Sequence, residues 1–168
     1  HAKYWTEYSR DRYNFAHLKV MFDRTWKVQK LLNQKSKLWK KEQKMVINKS
    51  VDSFINQLYR ALKKTRDWNM FAARLNTLEA IPLFIEAIFA LEWKVRPYNK
   101  YLERELNNFP LKKFPWKKWE LIEKIKLVDE KNDLNTLVEL LKTIRPIFTA
   151  NWFPESFDWW NWYYWVDV

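Results

Sequence analysis

No glycine occurs anywhere in this chain of 168 residues, while tryptophan occurs twelve times. Average usage would place about a dozen glycines in a chain of this length. Helix ends and tight turns often need a backbone at positive φ, which glycine enters freely and a residue with a β-carbon does not. Several tryptophans stand where glycine would be natural: Trp26 in "FDRTWKV", Trp68 in "KTRDWNM", Trp93 in "LEWKVRP" and Trp162 in "WNWYYW". Those at turns are therefore expected to be unusually exposed or strained. Three origins give such a pattern: chance, design, or a genome in which a codon read as tryptophan encodes glycine. The richness in Lys, Asn, Ile, Phe and Tyr fits an AT-rich source.

The length is that of one domain burying roughly two-thirds of its unfolded surface. Its 31 basic and 20 acidic residues give a formal charge of +11, which favours anionic partners such as nucleotides, nucleic acids or a membrane surface. Cysteine is absent, so disulfides and thiolate metal sites are excluded, and His1 and His17 are too few for a histidine cluster. Glu79, Glu86 and Glu92 interrupt the most apolar stretch before it reaches membrane-spanning length, and no signal peptide is visible. A soluble, cytoplasmic protein is expected.

Periodicity predicts a mostly α-helical chain. "HLKVMFD", residues 17–23, alternates like a short β-strand and is followed by a turn over Asp23 to Trp26. A basic helix is expected from Val28 to about Lys44, and Val51, Phe54, Ile55, Leu58, Tyr59 and Leu62 then recur at helical spacing. Asp67 reads as the cap of the next helix, about Asn69 to Leu91, apolar nearly all round and bent at Pro82. A short helix over 98–107 follows Pro97, with Tyr98, Tyr101, Leu102 and Leu106 inward. After the proline-punctuated "FPLKKFPWKKW", two more helices are predicted over 118–128 and 133–145, the last ended by Pro146. The domain reading is an α/β-core remnant over 1–25, a helical bundle of substrate-binding type over 26–150, and an irregular, aromatic-rich tail over 151–168. A strand without neighbours implies that the rest of its sheet lies upstream.

"LEWKVRPYNKYLERELNNFPL", with "FDRTWKVQKLL" and "RDWNMFAARL", resembles the helical C-terminal region of polymerase-β-like nucleotidyltransferases, the aminoglycoside-nucleotidyltransferase-like group. The resemblance spans roughly residues 15–112. Glycine is usual in that family where this chain has Trp26 and Trp93. The resemblance implies transfer of a nucleoside monophosphate from an NTP to an acceptor, with Mg²⁺ held by an Asp-x-Asp pair after a Gly-Ser loop. Neither motif occurs here, so Mg²⁺ and NTP are implied only for a full-length enzyme whose N-terminal catalytic domain is missing. This chain alone would then be inactive and bind no cofactor.

Glu79 and Glu86 are the only charges between Thr77 and Leu91 and share one helical face. They are candidates for a carboxylate wall that binds substrate, a small acceptor that would be cationic, and weaker candidates for a catalytic general base. A solvated helix edge is the plainer account. Arg96 and Lys100, four apart around Pro97, are candidate nucleotide-phosphate ligands, with Tyr98 and Tyr101 beside them as substrate-side residues. Ordinary i,i+4 surface charge paired with Glu103 or Glu92 accounts for them equally well. Lys112, Lys113, Trp116, Lys117, Lys118 and Trp119 interleave cations with aromatics, as in a single-strand stacking platform, or as a solvated loop whose tryptophans pack back. His17 reads as structural, no metal site is expected, and membrane adsorption ranks last.

Three functions follow from different classes: the nucleotide- and substrate-binding helical portion of a nucleotidyltransferase, a basic RNA-binding module, and a protein-interaction domain.

Overall fold

The computed structural model describes residues 10–157. A 3-10 helix, Arg10–Ala16, leads into six α-helices: α1 (Lys27–Lys35), α2 (Lys40–Arg66), α3 (Met70–Leu91), α4 (Asn99–Asn108), α5 (Lys118–Lys131) and α6 (Leu134–Ala150). A last 3-10 turn, Pro154–Ser156, closes the described chain.

The antiparallel pair of α2 and α3 is the frame. At 27 residues α2 is roughly 40 Å long. It buries Ile47, Val51, Phe54, Ile55, Leu58 and Ala61 along one stripe, against Ala80, Phe84, Ala87 and Ile88 of α3. Alanines on that face let the two backbones approach closely, which is why α3 takes the most buried position despite its short side chains. On the other side α6 contributes Leu137, Leu140, Leu141, Ile144 and Phe148, and α5 bridges α3 and α6 through Leu121 and Val128. None of the described helices is long and apolar enough to cross a membrane.

Aromatic rings join these layers in an unbroken series. Phe54 tilts against Phe84 at 5.5 Å, Phe84 meets the edge of Trp116 at 5.9 Å, and Trp116 stacks on Phe114 at 5.4 Å. Phe114 then reaches Phe148 at 6.2 Å, and Phe148 reaches Phe157 at 6.1 Å. The proline-punctuated loop is thus a packed layer of the core.

The structure corrects four expectations. Residues 17–23 form no strand; the alternation is present, but no described segment offers a partner, and the only β-type pairing among the described residues is the isolated bridge Lys37 to Lys94. The helix expected from Val28 to Lys44 is broken at Ser36–Trp39. Buried Arg12 holds that break open: its Nε donates to the Lys35 carbonyl at 2.7 Å, its Nη2 to the Lys37 carbonyl, and its Nη1 pairs with Glu42. Asp67 is the C-cap of α2; the N-cap of α3 is Asn69, whose side chain accepts from the Ala72 amide at 3.1 Å. Finally, α6 runs through Pro146 to Ala150, because the carbonyl that the proline leaves without its helical donor belongs to exposed Lys142 and can turn to water. Pro82 does lie inside α3, as its sequence implied. The tail expected over 151–168 is described only to Phe157, and Trp162 and the start of the 1–25 segment lie outside the described residues.

Candidate functional site

The segment between α3 and α4 is set by burial. Val95, Arg96 and Pro97 are all buried, and Tyr98 is the extended N-cap from which α4 starts. Gln43 of α2 fixes the approach, its Nε2 donating to the Ala90 carbonyl at 2.9 Å. Lys94 Nζ reaches across to the Phe109 carbonyl at 3.1 Å, tying the segment before α4 to the residue that caps its end.

Arg96, expected at a phosphate, is only 4% exposed and its fork faces the protein. Nη1 donates to the Pro82 carbonyl at 3.3 Å, and Nη2 donates to Asn99 Oδ1 at 2.7 Å. Glu86 Oε2 stands 3.9 Å from Nη1. The guanidinium therefore joins three things: the Pro82 carbonyl within α3, a carboxylate one turn later, and the first residue of α4. The structure brings Arg96 and Glu86 together as partners and places Glu79 apart from them. Glu79 is exposed, two turns back, and accepts from Gln57 Nε2 of α2 at 2.6 Å.

Lys100 and Arg104 sit one helical turn apart on the exposed side of α4. The Lys100 ammonium lies 4.8 Å from the centre of the Tyr101 ring and the Arg104 guanidinium 4.6 Å from the same ring. Neither forms an ion pair with a described residue. Tyr101 is half-buried, edge-on to Tyr98 at 6.5 Å and stacked on Tyr13 at 6.0 Å. The two cations are thereby fixed over an aromatic floor that is itself anchored to the core.

Sequence reasoning missed a cluster beneath this surface. Glu105 is buried and its Oε2 accepts from the Tyr13 hydroxyl at 3.0 Å, with His17 Nε2 at 3.4 Å from the same oxygen. His17 rests on Tyr13 at 4.5 Å and on Phe109 at 6.1 Å. The spacing Tyr101, Leu102, Glu105, Leu106 places Glu105 on the inward face of α4, a signal readable before the structure. A buried carboxylate fixing a half-exposed imidazole is chemically suited to orient a proton acceptor.

Burial, and then the hydrogen bond to Glu105, raise the Tyr13 phenol above its ordinary value of 10.0, opposed by nearby Arg104. A raised native pKa means this contribution to stability is complete below pH 10 and is lost as pH climbs through the native value. Tyr13→Phe should flatten the alkaline limb of a melting-temperature profile above about pH 10. An alkaline limb identical in Tyr13→Phe and wild type would contradict the assignment.

The basic loop divides. Trp116 is packed between Phe84 and Phe114, while Trp119 is exposed on α5. Lys113 bridges Glu92 through its amide and Asn151 Oδ1 through Nζ at 2.8 Å, so this lysine is a strut. Among the described residues no group of three His, Asp or Glu side chains is placed to hold a metal ion.

No family model, curated protein or solved structure matches this chain.

Proposed function

We propose that this chain is the nucleotide-facing helical portion of a nucleotidyltransferase, with α4 holding the phosphates of a nucleoside triphosphate. The observation that supports this reading is the pair Lys100 and Arg104, fixed over Tyr101 and without a described acidic partner. An ammonium and a guanidinium so held offer charge-assisted hydrogen bonds to phosphate oxygens with little ordering left to do. Arg96 then acts as a positioning residue, because it sets where α4 begins, and Glu86 is its partner. Of the two carboxylates proposed for a cationic acceptor, Glu79 alone stays on the surface. The catalytic core and its metal carboxylates would lie outside this chain, as the resemblance implies.

In the full-length protein, Lys100→Met should weaken nucleoside triphosphate binding about tenfold, or roughly 1.4 kcal/mol. Its melting temperature should stay unchanged, since the methionine keeps most of the apolar stem over Tyr101. Titration calorimetry with the Mg²⁺ complex of the nucleotide measures the first and a thermal melt the second. Unchanged affinity removes the phosphate role.

A second reading, a protein-interaction domain, draws on one observation. The first half of α3 presents Met70, Phe71, Leu75 and Leu78 to solvent. These residues would meet another chain or domain under either reading, whereas an RNA-stacking role loses Trp116, which is partly buried and packed between Phe84 and Phe114.

A further inference from the structure

Three helices end in the same way. At the end of α2 the Asn69 amide donates to the Lys64 carbonyl at 2.9 Å and the Trp68 amide to the Thr65 carbonyl at 3.1 Å. At the end of α3 the Lys94 amide donates to Phe89 at 3.0 Å and the Trp93 amide to Ala90 at 3.0 Å. At the end of α6 the Phe153 amide donates to Phe148 at 3.0 Å and the Trp152 amide to Thr149 at 3.2 Å. Each is a paired six-to-one and five-to-two closure, the Schellman motif, whose first residue past the helix cap must be left-handed and is usually glycine. Here that residue is tryptophan every time, at φ 56° for Trp68, 62° for Trp93 and 69° for Trp152.

A fourth left-handed tryptophan, Trp26 at φ 59°, leads into α1. Among the described residues one other position has positive φ, Asn132 at φ 53°, and asparagine is the side chain that best tolerates that region after glycine. Tryptophan has no such excuse: its β-carbon clashes there, and its indole offers the local backbone no compensating acceptor. Nor are three of these four rings held for packing. Trp26, Trp68 and Trp152 are 75%, 89% and 89% exposed, and Trp93 is 39% exposed. Trp116 shows the contrast, stacked within 7° of parallel on Phe114, edge-on to Phe84, and at ordinary φ.

We propose that the natural polypeptide carries glycine at positions 26, 68, 93 and 152, its gene being read with a code in which one of the codons taken here as tryptophan specifies glycine. Trp116 is a true tryptophan and uses a different codon. The same assignment explains a chain without a single glycine, since its glycines are written in that codon. Chance does not place tryptophan at three successive Schellman positions, and a designer choosing for stability would place glycine or asparagine there. The exposed indoles at these four turns are then no part of a ligand-stacking surface.

Two measurements test this. In the source gene, positions 26, 68, 93 and 152 should share one codon distinct from that of position 116, and mass spectrometry of proteolytic peptides from the source protein should show glycine at the four and tryptophan at 116. Tryptophan in the four peptides overturns the proposal, as does glycine at 116. Independently, the protein combining Trp26→Gly, Trp68→Gly, Trp93→Gly and Trp152→Gly should melt higher than the all-tryptophan form, by about 2–4 °C per position. Trp116→Gly should melt lower. A quadruple variant that melts at or below the parent temperature would count decisively against glycine at these turns.

Discussion

Arg96→Ala should destabilise the protein by about 3 kcal/mol, lowering its melting temperature by roughly 6–12 °C. The side chain is buried and makes directed bonds to the Pro82 carbonyl and to Asn99 Oδ1, with Glu86 at 3.9 Å. Removing it leaves these acceptors facing the gap, and an unmet buried acceptor costs more than the net worth of the bond it lost. The figure belongs at the low end for a broken buried pair, because Glu86 keeps some access to water. Arg96→Lys should recover less than half of the loss, since one ammonium cannot span a carbonyl, a carboxamide and a carboxylate arranged around a planar fork. Thermal melts of the two variants decide the matter. An Arg96→Ala protein that melts normally but binds nucleotide weakly would return this residue to the phosphate role its sequence position first implied.

That exchange of roles shows where reading the sequence stops. Helical period found helical character in all six described helices but ran α1 on into the start of α2, because a stripe such as Val51, Phe54, Ile55 and Leu58 is a local signal while a break is not. The turns were legible too, since Trp68 and Trp93 stood where the period ended and a left-handed residue was needed. What stayed hidden depends on residues distant in sequence. Nothing near Ser36 announces a break in the helix; the cause is Arg12, binding carbonyls 23 and 25 residues away. The alternation over 17–23 was real, yet a strand exists only with a partner, and the period of two carries no information about one. Arg96 and Lys100 looked equivalent as neighbouring cations. Only the fold distinguishes a guanidinium turned inward to Pro82 from an ammonium lying over Tyr101. Glu105 is the intermediate case. Its position on an inward face was readable, but its partners Tyr13 and His17, 92 residues away in the case of Tyr13, were not.

Phe54→Ala should have the largest effect of any single truncation considered, about 3–5 kcal/mol, or a fall of roughly 6–20 °C in melting temperature. Phe54 has no solvent exposure and lies where α2 meets α3, at the head of the ring series that continues through Phe84, Trp116, Phe114 and Phe148. Two features keep the resulting cavity from closing. The helices on either side already approach through alanines, including Ala61, Ala80 and Ala87, so they have little room to move inward. Phe84 cannot swing into the space without leaving the edge of Trp116, and that ring holds the proline-punctuated loop against the bundle. Phe71→Ala on the exposed start of α3 serves as the comparison, with an expected change within about 0.5 kcal/mol. Urea denaturation of both variants measures the difference, read at constant slope so that only the midpoint reports stability. A loss below about 1 kcal/mol for Phe54→Ala would mean that the core relaxes around the missing ring. In that event the loop would be free to shift from α3, and the position of α4, with Lys100 and Arg104 upon it, would rest on Arg96, Gln43 and the Lys94 contact to Phe109.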